Sequence, residues 1–285
     1  MVIDKQKWDL KIKPSSNFLY LQYNEVWLYR YLIWLFIKRD FTTLYKQTIL
    51  GPLWLFLQPL ITTIVFSFIF SSVAKISTDG VPPVIFYMSG LIAWNYFAQC
   101  LSSTSTVFTS NAGLFSKVYF PRIIIPISKT ISSLTKFGIQ LLMFLLFYFY
   151  FLLNGNTAIR PNISLLWTLP ILILQMGFLG QGLGMIVSSL TTKYRDLQHL
   201  ISFGTQLLMY ASPIVYPLSS VPEKYQFYIR LNPMTPIINI FRQAFIGVGA
   251  FDISTLYQSF LVTILIFLTG LILFNKFERD FIDTV

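Results

Sequence analysis

The chain has 285 residues, of which 55% are hydrophobic and 18% aromatic, while only 11% are charged against roughly the quarter typical of a soluble domain. Its charges fall in clusters separated by long uncharged stretches, which excludes a core solvated evenly by water and marks the clusters as loops and tails. The net charge of +10 reads as the lysine and arginine excess that orients a membrane protein, not as a nucleic-acid footprint.

In chain order, the start at Met1 to Lys5 is polar, and no short apolar region with a small-residue cleavage site follows it, so no removable signal peptide is expected. Residues 1–25, with Lys5, Lys7, Lys11 and Lys13, read as a cytoplasmic tail. Val26 to Ile37 is aromatic-rich but interrupted by Arg30 and closed by Lys38, Arg39 and Asp40. A crossing needs about 20 apolar residues, so this stretch is expected to lie in the interface plane, with Trp27, Tyr29, Tyr31 and Trp34 at headgroup level.

Two uncharged runs follow, Ile49 to Ala74 and Val81 to Phe108, each long enough to span with tilt. A basic connection (Lys117, Arg122) leads into a third span starting near Ile127 to Ile131 and ending at Leu153. The fourth is expected at about Ile163 to Leu190, the fifth at Leu200 to Tyr216 and the sixth at Ile253 to Phe274. Between the last two, Ile237 to Val248 is apolar enough to dip into the membrane. Irregular backbone at that depth needs protein or water around it, which predicts a re-entrant helical hairpin. The expected fold is thus all-α and integral to the membrane, with six spans in one domain. Residues 1–48 form the tail and amphipathic interface helix, 49–275 the core and 276–285 a C-terminal tail. Fourteen lysines and arginines fall on one side of this six-span arrangement and five on the other, so the first side, with both termini, is read as cytoplasmic.

The candidate chemistry is sparse. No Gly-rich phosphate loop ending in Gly-Lys-Ser or Gly-Lys-Thr occurs, so hydrolysis of nucleotide by that route is excluded and no cofactor of the chain's own is expected. The lone Cys100 offers no intrachain disulfide, and the lone His199, read as a polar loop residue, offers no metal cluster. Every Asp and Glu lies outside the confident spans, which argues against a proton relay. In span four, Gly180 and Gly184 have the four-residue spacing of close helix packing, against a helix of the same chain or of a second copy. Lys129 and Lys136, seven residues apart, share one face near the cytoplasmic end of span three. They either snorkel or place cations near a polyanionic substrate. Aromatic residues of spans one, two and five, notably Phe66, Phe70, Tyr87, Trp94, Tyr96, Tyr210 and Tyr216, are belt or lipid-facing residues or the walls of a sugar path, since flat rings pack on sugar C–H faces without adding charge.

Several stretches, taken together and in order, resemble the membrane permease of ABC exporters for cell-surface polysaccharides, the family of O-antigen, teichoic-acid and capsule exporters. They are Arg39-Asp40, Tyr45 to Trp54 with Gln58-Pro59, Lys117 to Arg122 with Pro126, Lys193 to Asp196, Ser212 to Pro217, Leu231 to Met234 with Phe241-Arg242, and Phe277 to Phe281. The resemblance covers nearly the whole chain. It implies a bacterial inner-membrane half-transporter that pairs with a second copy and with two separate ATPase subunits, which bind the ATP and Mg, and moves a lipid-linked polysaccharide. It further implies that Val26 to Asp40 and a short helix over Ala112 to Arg122 dock on the ATPase, with Arg39, Lys117, Tyr119, Phe120, Pro121, Arg122 and Arg195 as coupling residues. Asn232, Pro233 and Arg242 belong to the implied outer gate. The rival readings are an exporter of small lipophilic compounds, a membrane-embedded glycan-processing enzyme and a gated channel; the first would show drug-stimulated ATPase activity, the second needs converging catalytic groups that this chain hardly offers.

Overall fold

The computed structural model describes residues 23–282, apart from 47–49, 116, 155–157, 193, 195 and 250–251. Among these residues every regular element is helical. A short turn, α1 (Tyr23–Leu28), leads into α2 (Arg30–Lys46). Span one is a composite: a 3₁₀ turn at Gly51–Leu53, α3 (Trp54–Phe66) and a π-helical continuation over Ser67–Val73. Then come α4 (Pro83–Ser105), the single turns α5 (Val107–Ser110) and α6 (Ala112–Phe115), and α7 (Ile124–Leu153). The second half comprises α8 (Ile163–Leu166), α9 (Leu169–Thr191), α10 (Leu197–Tyr210), α11 (Glu223–Leu231), α12 (Met234–Ile246) and α13 (Ile253–Ile282).

Five of the described helical segments are long and apolar enough to cross a membrane: 51–73, 83–105, 124–153, 169–191 and 253–278. The chain is a multi-pass, all-α membrane protein. The expected fifth span is shorter than the others. The 14 residues of α10 rise about 21 Å, against a hydrocarbon core of about 30 Å, and the chain leaves the helix at Ala211 ahead of Pro213. His199 sits in the first turn of α10 and not in a loop.

Glycine sets the order of the bundle. A Cβ on Gly180 would stand 2.7 Å from the Phe97 carbonyl oxygen, and one on Gly184 would stand 2.9 Å from that of Leu101, so both glycines let α9 press on α4 of the same chain. On the opposite side of α9, Gly182 lies against Gly270 and Phe267 of α13. With α9 thus held between them, α4 and α9 are mostly buried, whereas the span-one helix, α7 and α13 turn apolar faces outward, such as Ile64, Phe68, Leu146 and Leu265.

The stretch expected to be re-entrant folds as two helices, α11 and α12. Helix α11 is amphipathic with no buried residue, while every residue of α12 except Gln243 is buried. Each end of α12 is fixed locally. Asn232 Oδ1 accepts a hydrogen bond from the Met234 N–H at 3.0 Å. At the other end Gly247 closes the helix in the left-handed region (φ 81°), where its N–H reaches the Gln243 carbonyl and a side chain would collide with the Arg160 carbonyl.

A second, smaller core gathers at one end of the bundle, joining Phe36 of α2, Val107 and Phe108 of α5, Phe120, Ile123 to Ile125, Met185, Leu271 and Phe274. The short helix expected over Ala112 to Arg122 covers only Ala112–Phe115. Beyond it the chain turns at Lys117 and runs irregularly to Pro121, which disfavours the α region at Phe120.

Candidate translocation cleft and docking end

At the end of the bundle that carries α2, the residues of the expected coupling set divide by exposure. Lys117 and Tyr119 project from the 117–120 segment, with Tyr119 57% exposed, whereas Phe120, Pro121 and Arg122 are buried. The Phe120 ring packs 5.9 Å from both Phe36 and Phe115, tying the segment to α2. Arg122 lies over the Phe115 ring at 5.0 Å and donates to the Glu278 carbonyl at 2.9 Å, while its own N–H meets Glu278 Oε1 at 3.3 Å. Burial lowers the Arg122 pKa from its ordinary value and Glu278 opposes that shift, so α13 supplies part of what holds the cation in place. Arg122 therefore braces this end of the bundle from within, and the surface belongs to Lys117, Val118 and Tyr119. Arg39 is exposed, stands over the Phe36 ring at 4.8 Å and pairs with Asp40 at 3.1 Å. Arg195, Lys193 and the N-terminal lysines lie outside the described residues.

Two adjoining cavities lead inward from this end. The first, about 740 Å³, lies between α2 and α7; the second, about 670 Å³, is walled by the span-one helix, α4, α7 and α10. They share Gln99, Ser133 and Lys136, so together they form one cleft. The wall of the second cavity is built from polar stripes at helical spacing, neutral apart from Lys136. Helix α4 contributes Asn95, Gln99, Ser102 and, at its C-cap, Thr106; α7 contributes Ser133, Lys136 and Gln140; α10 contributes Gln198, Ser202 and Thr205; α3 contributes Gln58 and Thr62. Positions three and four apart stack on one helix face, which is why each stripe points into the same space. Asn95 Nδ2 stands 3.5 Å from Gln140 Oε1 across the cleft. In the second cavity such a wall offers paired donors and acceptors with no fixed charge beyond Lys136, a lining that matches hydroxyl-rich cargo without trapping it.

Of the aromatics expected along a path, Trp94 and Tyr96 line the second cavity. Phe66 and Phe70 meet edge-on at 5.2 Å, and Phe70 lies 6.3 Å from the buried Tyr87, a cluster that is not part of the cleft wall. Tyr210 is exposed at the end of α10 and Tyr216 is half-buried; neither lines the two cavities. Of the two lysines, Lys129 faces the first cavity and pairs with Asp40 at 2.7 Å, and Lys136 faces both. The stripe of amides, more than the aromatics, marks the wall. Its signal was present in the sequence as Asn95, Gln99, Ser102 and Thr106 at steps of four, three and four.

At the opposite end the implied gate residues form one network, with Arg242 buried and Asn232 and Pro233 half-buried. Arg242, 1% exposed, donates to the carbonyls of Pro213 and Ile214, the latter at 2.7 Å, and approaches Ser89 Oγ and the Phe86 carbonyl at 3.4 Å each. Its guanidinium carbon lies 3.7 Å from the centre of the Phe86 ring. Gly90 leaves room for it, since a Cβ there would stand 2.7 Å from the guanidinium. Asn232 donates to Ser212 Oγ at 2.8 Å, and the Pro233 carbonyl accepts from Ser259 Oγ at 2.7 Å. The network thus stitches α12 to α4, to the 212–216 turn and to α13.

A family model for ABC-2 type transporters matches residues 31–246, a stretch that takes in α2, the cleft and the Arg242 network. The chain belongs to the ABC-2 type transporter family. Among curated relatives of this ABC-2 chain, the O-antigen export system permease protein RfbA of Klebsiella pneumoniae is 30% identical over 93% of the chain and 98% of its own length. The polysialic acid transport protein KpsM of Escherichia coli is 24% identical over 85% of the chain and 91% of its own. The capsule polysaccharide export inner-membrane protein CtrC of Neisseria meningitidis is 22% identical, over 85% and 89%. Among the described residues of this ABC-2 chain no group of three or more His, Cys, Asp or Glu is placed to hold a metal ion.

Proposed function

We propose that the chain is the membrane permease of a polysaccharide exporter in a bacterial inner membrane, carrying a lipid-linked glycan outward through the polar cleft. The observation that carries this reading is the convergence of four amide- and hydroxyl-bearing helix faces on one cleft that begins beside basic residues. The relatives support it, since three of them are named for O-antigen, polysialic acid and capsule export. On this reading the α2 end is cytoplasmic, in keeping with the lysine and arginine excess there. Two copies face each other across the open side of the cleft, and two separate ATPase subunits, which bind ATP and Mg, dock on Lys117, Val118 and Tyr119 together with Arg39.

The chain itself makes and breaks no covalent bond. ATP-driven closure of the docked subunits shifts the two copies from a sealed to an open arrangement, by no more than the difference in the subunits' affinity for the two states. Phe120 and Arg122 pass the push from the docking segment to α2 and α13, and the Arg242 network keeps the outer end closed until that push arrives. An experiment separates this from export of small lipophilic compounds. Substitute Gln99 and Gln140 together by leucine in the full transporter, and measure surface glycan, ATPase-subunit co-purification and stimulation of ATP hydrolysis by drugs. The reading predicts loss of surface glycan with the ATPase still bound; retained glycan, or drug-stimulated hydrolysis that survives the change, would refute it.

A further inference from the structure

We propose that the cavity between α2 and α7 is a binding site for a lipid-borne phosphate or diphosphate, and that Asp40 is the resident carboxylate this group displaces. The inference rests on the reading above and deepens it, because a lipid-linked polymer presents a phosphate at the depth of the interface helix.

Four cations, Lys38, Arg39, Lys129 and Lys136, line the cavity against the single carboxylate of Asp40. Asp40 uses its two oxygens as a small oxyanion would. Its Oδ2 accepts from Lys129 Nζ on α7 at 2.7 Å, and its Oδ1 accepts from Arg39 on α2 at 3.1 Å. The pair is only partly exposed, 17% for Asp40 and 23% for Lys129, so water screens it incompletely. A phosphate group carries more charge and a third oxygen, and can take both donors at once while reaching for a further cation. Lys136, two turns along the same face of α7, is placed for that second contact, and a diphosphate engages it more fully than a monoester. Trp34 and Ile37 add an apolar lip beside the cations, which suits the stem of a lipid and not a free ion.

The consequence concerns coupling. The Asp40–Lys129 pair ties the interface helix to span three. A phosphate seated on Lys129 and Arg39 replaces that tie with one that runs through the lipid end, so the contact between α2 and α7 depends on loading. Helix α2 is the same helix that packs through Phe36 onto Phe120.

The test uses the full-length permease in phosphatidylcholine nanodiscs with radiolabelled farnesyl diphosphate as probe, and competition by phosphatidylglycerol in one arm and by inorganic diphosphate in another. Asp40→Asn should bind the probe about tenfold tighter, because the competing anion is gone while its cations remain. Lys129→Gln should bind at least about tenfold more weakly, and Lys224→Gln, a cation outside the cavity, should match wild type. Size-exclusion profiles of each variant in detergent exclude a folding failure, and the gain expected of Asp40→Asn cannot arise from misfolding. Competition by phosphatidylglycerol equal to that of the probe assigns the site to bulk anionic lipid; resistance to it assigns the site to a diphosphate carrier. Either supports the phosphate site. Unchanged or weaker binding by Asp40→Asn overturns the displacement, and wild-type binding by Lys129→Gln overturns the site. Surface glycan measured on the same variants keeps the two claims apart: normal export with no Asp40-dependent binding defeats this inference alone, whereas intact binding with no glycan exported by wild type defeats the function.

Discussion

Replacing Arg242 by methionine removes the guanidinium while keeping much of the stem's volume. It would leave the carbonyls of Pro213 and Ile214, both in buried residues, without the donor they share. Each hydrogen bond from a charged donor is worth about 1.5–3 kcal/mol, and the desolvated contact over Phe86 about 2 kcal/mol more. Methionine also avoids the cost of burying a cation, which takes back several kcal/mol. Two buried carbonyls left unpaired at about 1–3 kcal/mol each give a net loss of about 2–6 kcal/mol, which at about 2 °C per kcal/mol for a chain of this size lowers the unfolding midpoint by about 4–12 °C. Arg242→Lys should fall between, because an ammonium cannot fork onto two carbonyls and also cover the Phe86 face. Gly90→Ala should reproduce part of the loss by pushing the guanidinium away. The assay is thermal unfolding of the full-length protein in detergent, paired with ion leak through proteoliposomes, which should rise in Arg242→Met as α12 loosens. An Arg242→Met protein as stable and as tight as wild type would show that the network does not hold the outer end.

Other outcomes follow from the packing. Gly184→Ala should cost about 1–3 kcal/mol by forcing α9 off α4, whereas Gly204→Ala, whose added carbon meets nothing within 4 Å, should leave stability equal or raised by up to about 1 kcal/mol; equal midpoints for both would dissolve the glycine argument. Lys117→Glu with Tyr119→Ala should reduce ATPase co-purification without lowering the unfolding midpoint, while Phe120→Ala should lower the midpoint by taking a ring out of the small core. Asp252 caps α13 by accepting from the Ser254 N–H at 2.9 Å, and the hydrogen bonds from Ser254 depress its pKa. Its stabilising contribution is present above the ordinary aspartate pKa of about 4 and is lost as pH falls below that toward the depressed folded value. Asp252→Asn should therefore remove that segment of the acid dependence, and an unchanged pH profile would show that the cap does not act.

The sequence disclosed what composition and periodicity control. Long uncharged runs became helices within a few residues of the expected bounds, because backbone groups in lipid have no alternative partner to the helix itself. The buried helix α12 was legible from Ile237 to Val248 being apolar yet too short to cross. Where local chemistry competed, the reading failed: α10 ends ahead of Pro213, short of the expected Tyr216, and the helix that the resemblance implied over Ala112 to Arg122 stops at Phe115. The coupling set was legible as residue types but not as roles, since nothing in the order Lys117 to Arg122 tells an exposed lysine from a buried arginine that clasps a helix 156 residues on. The cleft is not legible in the sequence for a related reason. Each polar stripe is an ordinary set of amides and hydroxyls, and only folding brings four of them face to face.

The central claim is that glycan passes along that polar wall. Site-specific photocrosslinking in living cells tests it most directly, with a photoreactive residue placed at Gln140 of α7 or Gln206 of α10, both lining the second cavity, and at Leu146 on the outward face of α7. The account predicts glycan adducts from the two cleft positions and none from Leu146. Equal adducts from all three positions, or none from Gln140 and Gln206 while surface glycan is still made, would contradict it.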